Sequence, residues 1–219
     1  MTNPPRPAAT FALLVLMALS APAQSGTVAD AAAEIETKLA TADLTGAITD
    51  ARALLGLVWD MSLEISFSEA LLVAAPAAGY GVYNPRETNV FGKGESIIIY
   101  TEPVGFGYGS EGDGVFSIGF NVDLQVLTEA GEVLGDVPSV TDLNLISRYQ
   151  NREFHANITY DLGGLDAGRY RLITTLRDKN STRSGSFEVL IEISTETTDK
   201  KTIHTTIEPP TTTETTTGD

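Results

Sequence analysis

Cysteine is absent from this 219-residue chain, which excludes disulfides, thiolate metal sites and thiol catalysis. Histidine occurs twice and tryptophan once, so general-base chemistry built on imidazole has almost no material. Cations are scarce as well: 14 Lys and Arg stand against 29 Asp and Glu, a formal net charge of −15. A surface this acidic repels phosphates, and no local basic patch interrupts it. Nucleic acid and anionic lipid headgroups are therefore poor partners, and no nucleic acid is expected. No apolar run approaches the ~20 residues that span a bilayer, and no stretch has the basic polar face of a membrane-surface helix. No cofactor is implied.

What is present begins with an address. Residues 1–23 read as a secretory signal: a polar start carrying Arg6, the nine-residue apolar run 11–19, then Ala21-Pro22-Ala23 at the positions a signal peptidase reads. The run is short for an uncleaved anchor, and the lack of cysteine excludes a lipoprotein anchor. Arg6 is the only charge in 1–23, so the remainder carries 13 cations and 29 acids, a net of −16. Export without disulfides fits a bacterial periplasm or the extracellular space and a core large enough to stand without staples. The expected localisation is exported, periplasmic or extracellular.

Residues 27–61 carry helical periodicity in two parts. Val28, Ala32, Ile35, Leu39 and Ala42 form one stripe; Leu44, Ile48, Ala51, Leu55 and Val58 form another. The two-residue step from Ala42 to Leu44 rotates the stripe by about 200° on a helix of 3.6 residues per turn. Two short helices joined near 41–45 explain the pattern better than one. Thr27 is the expected cap of the first, with Asp30 favouring its positive end; Asp43 or Thr45 caps the second.

From Leu63 the period changes to two. Leu63, Ile65 and Phe67 alternate with polar residues, and further runs lie at 96–100, 115–127, 133–137, 140–149, 153–160, 169–177 and 185–193. In the longest, Phe116, Ile118, Phe120, Val122, Leu124 and Val126 share one face. No helical pattern separates the runs, which argues against a parallel sheet and a nucleotide-binding doubly wound fold. The expected fold is mainly β, an antiparallel β-sandwich over 63–194 preceded by a helical region at 27–61. Residues 195–219 hold 12 threonines and almost nothing apolar, so they read as a disordered tail.

The stretch Leu165-Asp-Ala-Gly168-Arg-Tyr170 resembles the Leu-x-x-Gly-x-Tyr turn of immunoglobulin-like and fibronectin type III-like domains found in exported bacterial proteins. In such domains the tyrosine hydroxyl ties back to upstream backbone as a tyrosine corner. The resemblance is specific over about 160–193, lacks the Cys…Trp…Cys signature of true immunoglobulin domains and supplies no catalytic residues. It implies structural roles for Leu165, Gly168 and Tyr170, and an adhesion, spacer or recognition module.

Candidate sites are few. His155 is opposite in phase to Phe154, Ala156, Ile158 and Tyr160, so it faces outward without a nucleophile or orienting acid. The loop acids lack an Asp-x-Asp-x-Asp spacing and serve turns. No catalytic or metal-ligating set is assigned. The unusual stretch is 79–108, where glycines and aromatics interleave. Glycine beside an aromatic leaves the ring accessible to a sugar or an extended peptide. Tyr80, Tyr83, Phe106 and Tyr108 are the candidate stacking rings, with Arg86 and Glu102 fixing orientation. Alternatively the rings fold inward and Arg86 pairs a Glu at a buried corner.

The expected function is an exported, non-enzymatic binding or assembly module whose partner is a protein or glycan of the cell envelope. The alternative is an envelope glycan-acting enzyme or enzyme subunit whose paired carboxylates are Glu102 with Asp123 or Glu95. Signal cleavage is expected after Ala23. N-terminal sequencing of the exported protein should begin at Gln24, and a chain still starting near Met1 refutes the signal.

Overall fold

The computed structural model describes residues 26–195. The secretory segment expected at 1–23 and the tail beyond Thr195 lie outside the described residues. The chain divides into two compact units, the first ending at Val58 and the second beginning at Trp59.

The first unit is helical. Helix α1 runs Thr27–Ala40 and α2 runs Leu44–Asp60, crossing the unit boundary at its last turn. The joint falls where the stripe rotates. Thr27 is already helical; Gly26 holds the cap position and its carbonyl accepts Asp30 N at 3.1 Å, without side-chain help. At the other end of α1, Asp43 N reaches Lys38 O at 2.9 Å and Ala42 N reaches Leu39 O at 3.1 Å, a Schellman closure with Ala42 at φ 60° where glycine is usual. Asp43 then caps α2, its Oδ1 accepting Gly46 N at 2.9 Å. Lys38 and Asp50 form an ion pair across the hairpin at 2.6 Å.

The second unit is mainly β. Its strands are β1 Ser66–Leu72, β2 Val90–Phe91, β3 Ile97–Val104, β4 Gly109–Gly112, β5 Val115–Thr128, β6 Val133–Ser147, β7 Ala156–Tyr160, β8 Gly168–Asp178 and β9 Ser184–Ile193. A three-stranded sheet has the order β1-β3-β7. A six-stranded sheet has the order β2-β9-β8-β5-β4, with β6 also paired to β5. All pairings are antiparallel except β2 on β9. The strands curl into a half-barrel. Two irregularities in the β5–β6 register, at Val122/Leu124 and Val126/Leu127, supply local twist for that curl.

The inward positions of β5 are the ones that the two-residue period marked. Ile118, Phe120, Val122, Leu124 and Val126 lie in one buried cluster with Ile97, Ile99, Ile158, Leu172, Leu176 and Ile191, drawn from both sheets. A buried hydroxyl pair, Tyr160 Oη with Thr174 Oγ1 at 2.9 Å, links β7 to β8. Ile65 N donates to Ser184 O at 3.1 Å, bringing the start of β1 against β9. Gly185 permits this approach: a Cβ there would fall 2.0 Å from the Ile65 carbonyl oxygen.

Two strand readings change. Leu63, read as the first inward residue, is 93% exposed, and the strand begins at Ser66. The runs 133–137 and 140–149 are one strand rather than two. Between the two runs, Asp123 on β5 accepts Ser139 N at 2.7 Å and Arg177 on β8 donates to Ser139 Oγ at 3.0 Å. Those two contacts hold Ser139 at φ 52° and carry the strand through the irregularity.

Tyr170 Oη donates to Asp166 O at 2.9 Å, tying the ring back to backbone four residues upstream. The ring shares the inner face with Leu172 and Leu176, and Leu165 packs against the same cluster. Gly168 opens β8, and a Cβ there would stand 3.4 Å from the Tyr170 hydroxyl. Tyr170→Phe keeps the ring and loses this bond, and should cost about 1–3 kcal/mol. Gly185→Ala should cost at least about as much, because main-chain atoms must move. Denaturant titration of both variants measures the losses, and a neutral result for either removes the corresponding contact from the account.

Candidate functional site

Alternation along β3 sorts the candidate residues. Ile97 and Ile99 face the core, so Tyr100 and Glu102 share the opposite, outer face of the three-stranded sheet. An outer face is normally wet, yet Tyr100 is 0% and Glu102 5% exposed. The cover is the segment 74–89, a flap folded back over β3 and β7. Its attachments are made by side chains. Asn157 on β7 accepts Ala77 N at 2.8 Å and donates to Ala77 O at 3.1 Å. Gly81 N donates to Tyr100 Oη at 2.7 Å, and Gly81 stands at φ 68°, where glycine is favoured. Main-chain bonds Ala74 N to Asn84 O (3.0 Å) and Arg86 N to Leu72 O (2.9 Å) close its base.

The flap brings rings together above the buried acid. Tyr83 lies on Tyr100 with centroids 4.3 Å apart, and His155 stacks on Tyr100 at 5.7 Å. Tyr100 in turn donates its hydroxyl to Glu102. Glu69 sits directly across from Glu102 in the β1–β3 register. Burial, and then the hydrogen bond to Glu102, pushes the Tyr100 hydroxyl up to about 12. Burial followed by the Glu102 charge raises Tyr80, with Glu153 adding to the effect. Burial followed by the charges of Glu69 and Glu102 raises Tyr83. Tyr80 remains 40% exposed at the flap's edge, and Tyr83 lines a concavity of about 320 Å³ with Gly81 and Asn84.

The six candidates from 79–108 thus divide. Tyr80, Tyr83 and Glu102 meet at this outer face. Phe106 does not: it is 0% exposed in the main core, edge-on to Trp59 at 5.0 Å and Phe120 at 5.6 Å. The apolar environment at the end of β3 draws it inward, so it has no open face for a ligand. Tyr108 leans on Phe106 at 5.4 Å and donates its hydroxyl to Asn151 O at 2.9 Å. Burial raises that hydroxyl to about 12 as well. Arg86 takes the buried-corner role: it pairs Glu95 at 2.8 Å, donates to Val90 O at 2.8 Å and covers Phe91 at 4.1 Å.

The carboxylate pairs considered for glycan hydrolysis are not brought together. Asp123 is on the outer face of the other sheet, bonded by Arg177 at 2.7 and 2.9 Å, which holds its carboxyl below the usual range. Glu95 is engaged by Arg86. His155 is half-buried on the outer face, in the phase its alternation indicated. Among the described residues no three His, Cys, Asp or Glu side chains converge as metal ligands would.

Asp178, one of the loop acids, serves its turn by accepting Asn180 N at 2.9 Å and the Ser181 hydroxyl at 2.5 Å. It is also buried and accepts Gly107 N at 2.6 Å, joining a second loop to the turn. Trp59 Nε1 donates to Phe106 O at 2.7 Å beside it in sequence-distant fashion. Tyr100, Asn157, Glu69 and Glu153 were absent from the sequence candidates. Strand parity was the available signal for Tyr100; nothing local marks Asn157, whose partner is 80 residues away.

The chain matches no protein-family model and no curated protein.

Tyr100, Tyr108 and Tyr160 all have hydroxyls raised by burial to about 12, against an ordinary value of 10. A pKa raised on folding stabilises the protonated folded form. That stability is complete below pH 10 and is lost as pH rises towards 12. Urea titrations should therefore show falling stability across pH 10–12, with phenolate absorbance appearing together with unfolding. A denaturation midpoint that stays flat through this window contradicts the buried tyrosines.

Proposed function

We propose that this protein is an exported, non-enzymatic binding or assembly module of the bacterial cell envelope, built on an immunoglobulin/fibronectin III-like β-sandwich. The fold reading is supported by strand order. With β1, β3 and β7 as strands A, B and E, and β5, β8 and β9 as C, F and G, the antiparallel pairings match the two-sheet scheme. The Tyr170–Asp166 bond adds the corner. Export is supported by the apolar run 11–19 before Ala21-Pro22-Ala23, and the module works in the periplasm or outside the cell.

The observation that carries the binding reading is the flap. Its bonds to Tyr100 and Asn157 hold Tyr80 and Tyr83 at the surface in fixed positions. A pre-positioned ring loses little freedom when it is covered, so its buried area converts well into affinity. The partner is a protein or glycan of the envelope. A non-enzymatic role is supported by the commitments of Asp123 and Glu95 to arginines, which leave Glu102 without either of its expected catalytic mates.

Tyr80→Ala and Tyr83→Ala should each weaken binding of the full chain to isolated native envelope by more than about 1 kcal/mol. Because neither ring belongs to the main core, melting temperatures should move by no more than a few degrees. Unchanged envelope binding in the double variant refutes the site.

A further inference from the structure

The two outer sheet faces are built on opposite charge plans. On the six-stranded sheet four acids hold cations: Asp123 with Arg177 at 2.7 Å, Asp142 with Lys179 at 3.0 Å, Glu188 with Arg171 at 2.6 Å and Glu192 with Arg169 at 3.2 Å. Asp136 on the same face accepts the Gln125 amide at 3.1 Å instead, so most of that face's acids are matched by a cation. On the three-stranded sheet, Glu69, Glu102 and Glu153 take part in none of the ion pairs formed among the described residues. Glu102 is 5% exposed, and the neighbours it meets are tyrosine hydroxyls. A carboxylate taken out of water without a cation is costly to keep, and an incoming positive group removes that cost.

The rings select the same kind of visitor. A tyrosine face is the negative end of a quadrupole and attracts a cation within about 6 Å of its centroid. Tyr83 uses one face on Tyr100, and its ring lines the 320 Å³ concavity of the flap. Tyr80 stands 40% exposed beside Glu102 and Glu153, whose fields raise its hydroxyl after burial does. A phosphorylated, sulfated or uronic ligand is repelled here. A neutral sugar could stack, but it brings no cation to the buried Glu102.

We propose that this face docks a lysine-bearing segment of a partner polypeptide, its ε-ammonium seated against Tyr80 and Tyr83 and flanked by Glu69, Glu102 and Glu153. The proposal rests on the binding-module reading above and commits it to a protein partner that is basic at the contact. Arginine or a quaternary amine would share the charge, but a primary ammonium is compact enough to enter between a ring face and a carboxylate. The chain's own excess of acid draws such a partner in from a distance and makes a second copy of this chain a poor occupant.

The test uses the full chain and the peptide acetyl-Gly-Lys-Gly-Lys-Gly-amide, followed through the Gly81 amide resonance, which reports on the flap through its bond to Tyr100. The expected result is a saturable shift that weakens with added salt and is absent with the norleucine counterpart. Glu69→Gln with Glu153→Gln, both at exposed positions, should weaken the response by about fivefold. The proposal is overturned by an equal response to norleucine, by stronger binding of tetramethylammonium or of maltotriose, or by no saturable shift. The two readings fail separately. If Tyr80→Ala and Tyr83→Ala abolish envelope binding while Glu69→Gln with Glu153→Gln does not alter it, the lysine assignment falls and the binding site stands. If neither pair of changes matters, both fall.

Discussion

Strand β5 has to satisfy two long neighbours at once, and the rest of the β unit depends on its doing so. It pairs β8 over Phe120–Thr128 and β6 over Phe116–Leu127, with β4 added at its start. Its inner residues are the middle of the core, so a slip of one position would turn Phe120, Val122 and Leu124 to solvent. Each such side chain is worth roughly 1.5–3 kcal/mol buried, which makes the register the most strongly specified feature of the sheet. The outer face then reinforces it. Asp123 on β5 binds Arg177 on β8 and Ser139 on β6, so one polar residue ties three strands at one level.

With the register set, the outer faces are free to differ. The six-stranded sheet spends its charges on cross-strand pairs such as Arg171–Glu188, where the bidentate fork lowers Glu188 and raises Arg171. Those pairs are half-exposed and contribute little each, but they match most of the face's acids with cations. The three-stranded sheet is narrower and carries a flap instead of a charge ladder. Covering Tyr100 and Glu102 with segment 74–89 moves a polar pair into a dry setting, where hydrogen bonds and uncompensated charge both count for more. The two outer faces therefore differ: one carries cross-strand ion pairs, the other a flap with tyrosines over a buried acid.

Legibility followed the range of the interaction. The helix joint near 41–45 was visible because a two-residue step cannot keep a stripe on one face, and the structure ends α1 at Ala40 and starts α2 at Leu44. The Tyr170 bond was visible because its acceptor is four residues upstream. The inner face of β5 was visible because its period is two. The fate of the glycine-aromatic stretch was not. Tyr83 and Phe106 have similar local surroundings in sequence, yet one is at the flap surface and the other in the core. The difference comes from Trp59, Phe120 and Phe154 converging on Phe106 from three separate parts of the chain.

The sequence by itself determined the mainly β character of residues 66–193, the two-helix lead, the alternation that chooses the core and the acidic excess. These follow from periodicity and composition, which act between near neighbours or on the whole chain. Only the tertiary structure decided that Arg86 belongs to Glu95 and Phe91, that Asp123 belongs to Arg177, and that Glu102 is left among tyrosines without a cation. Ion pairs and ring contacts act over a few ångströms, and which groups come that close is set by sheet order and by a flap anchored 80 residues away at Asn157.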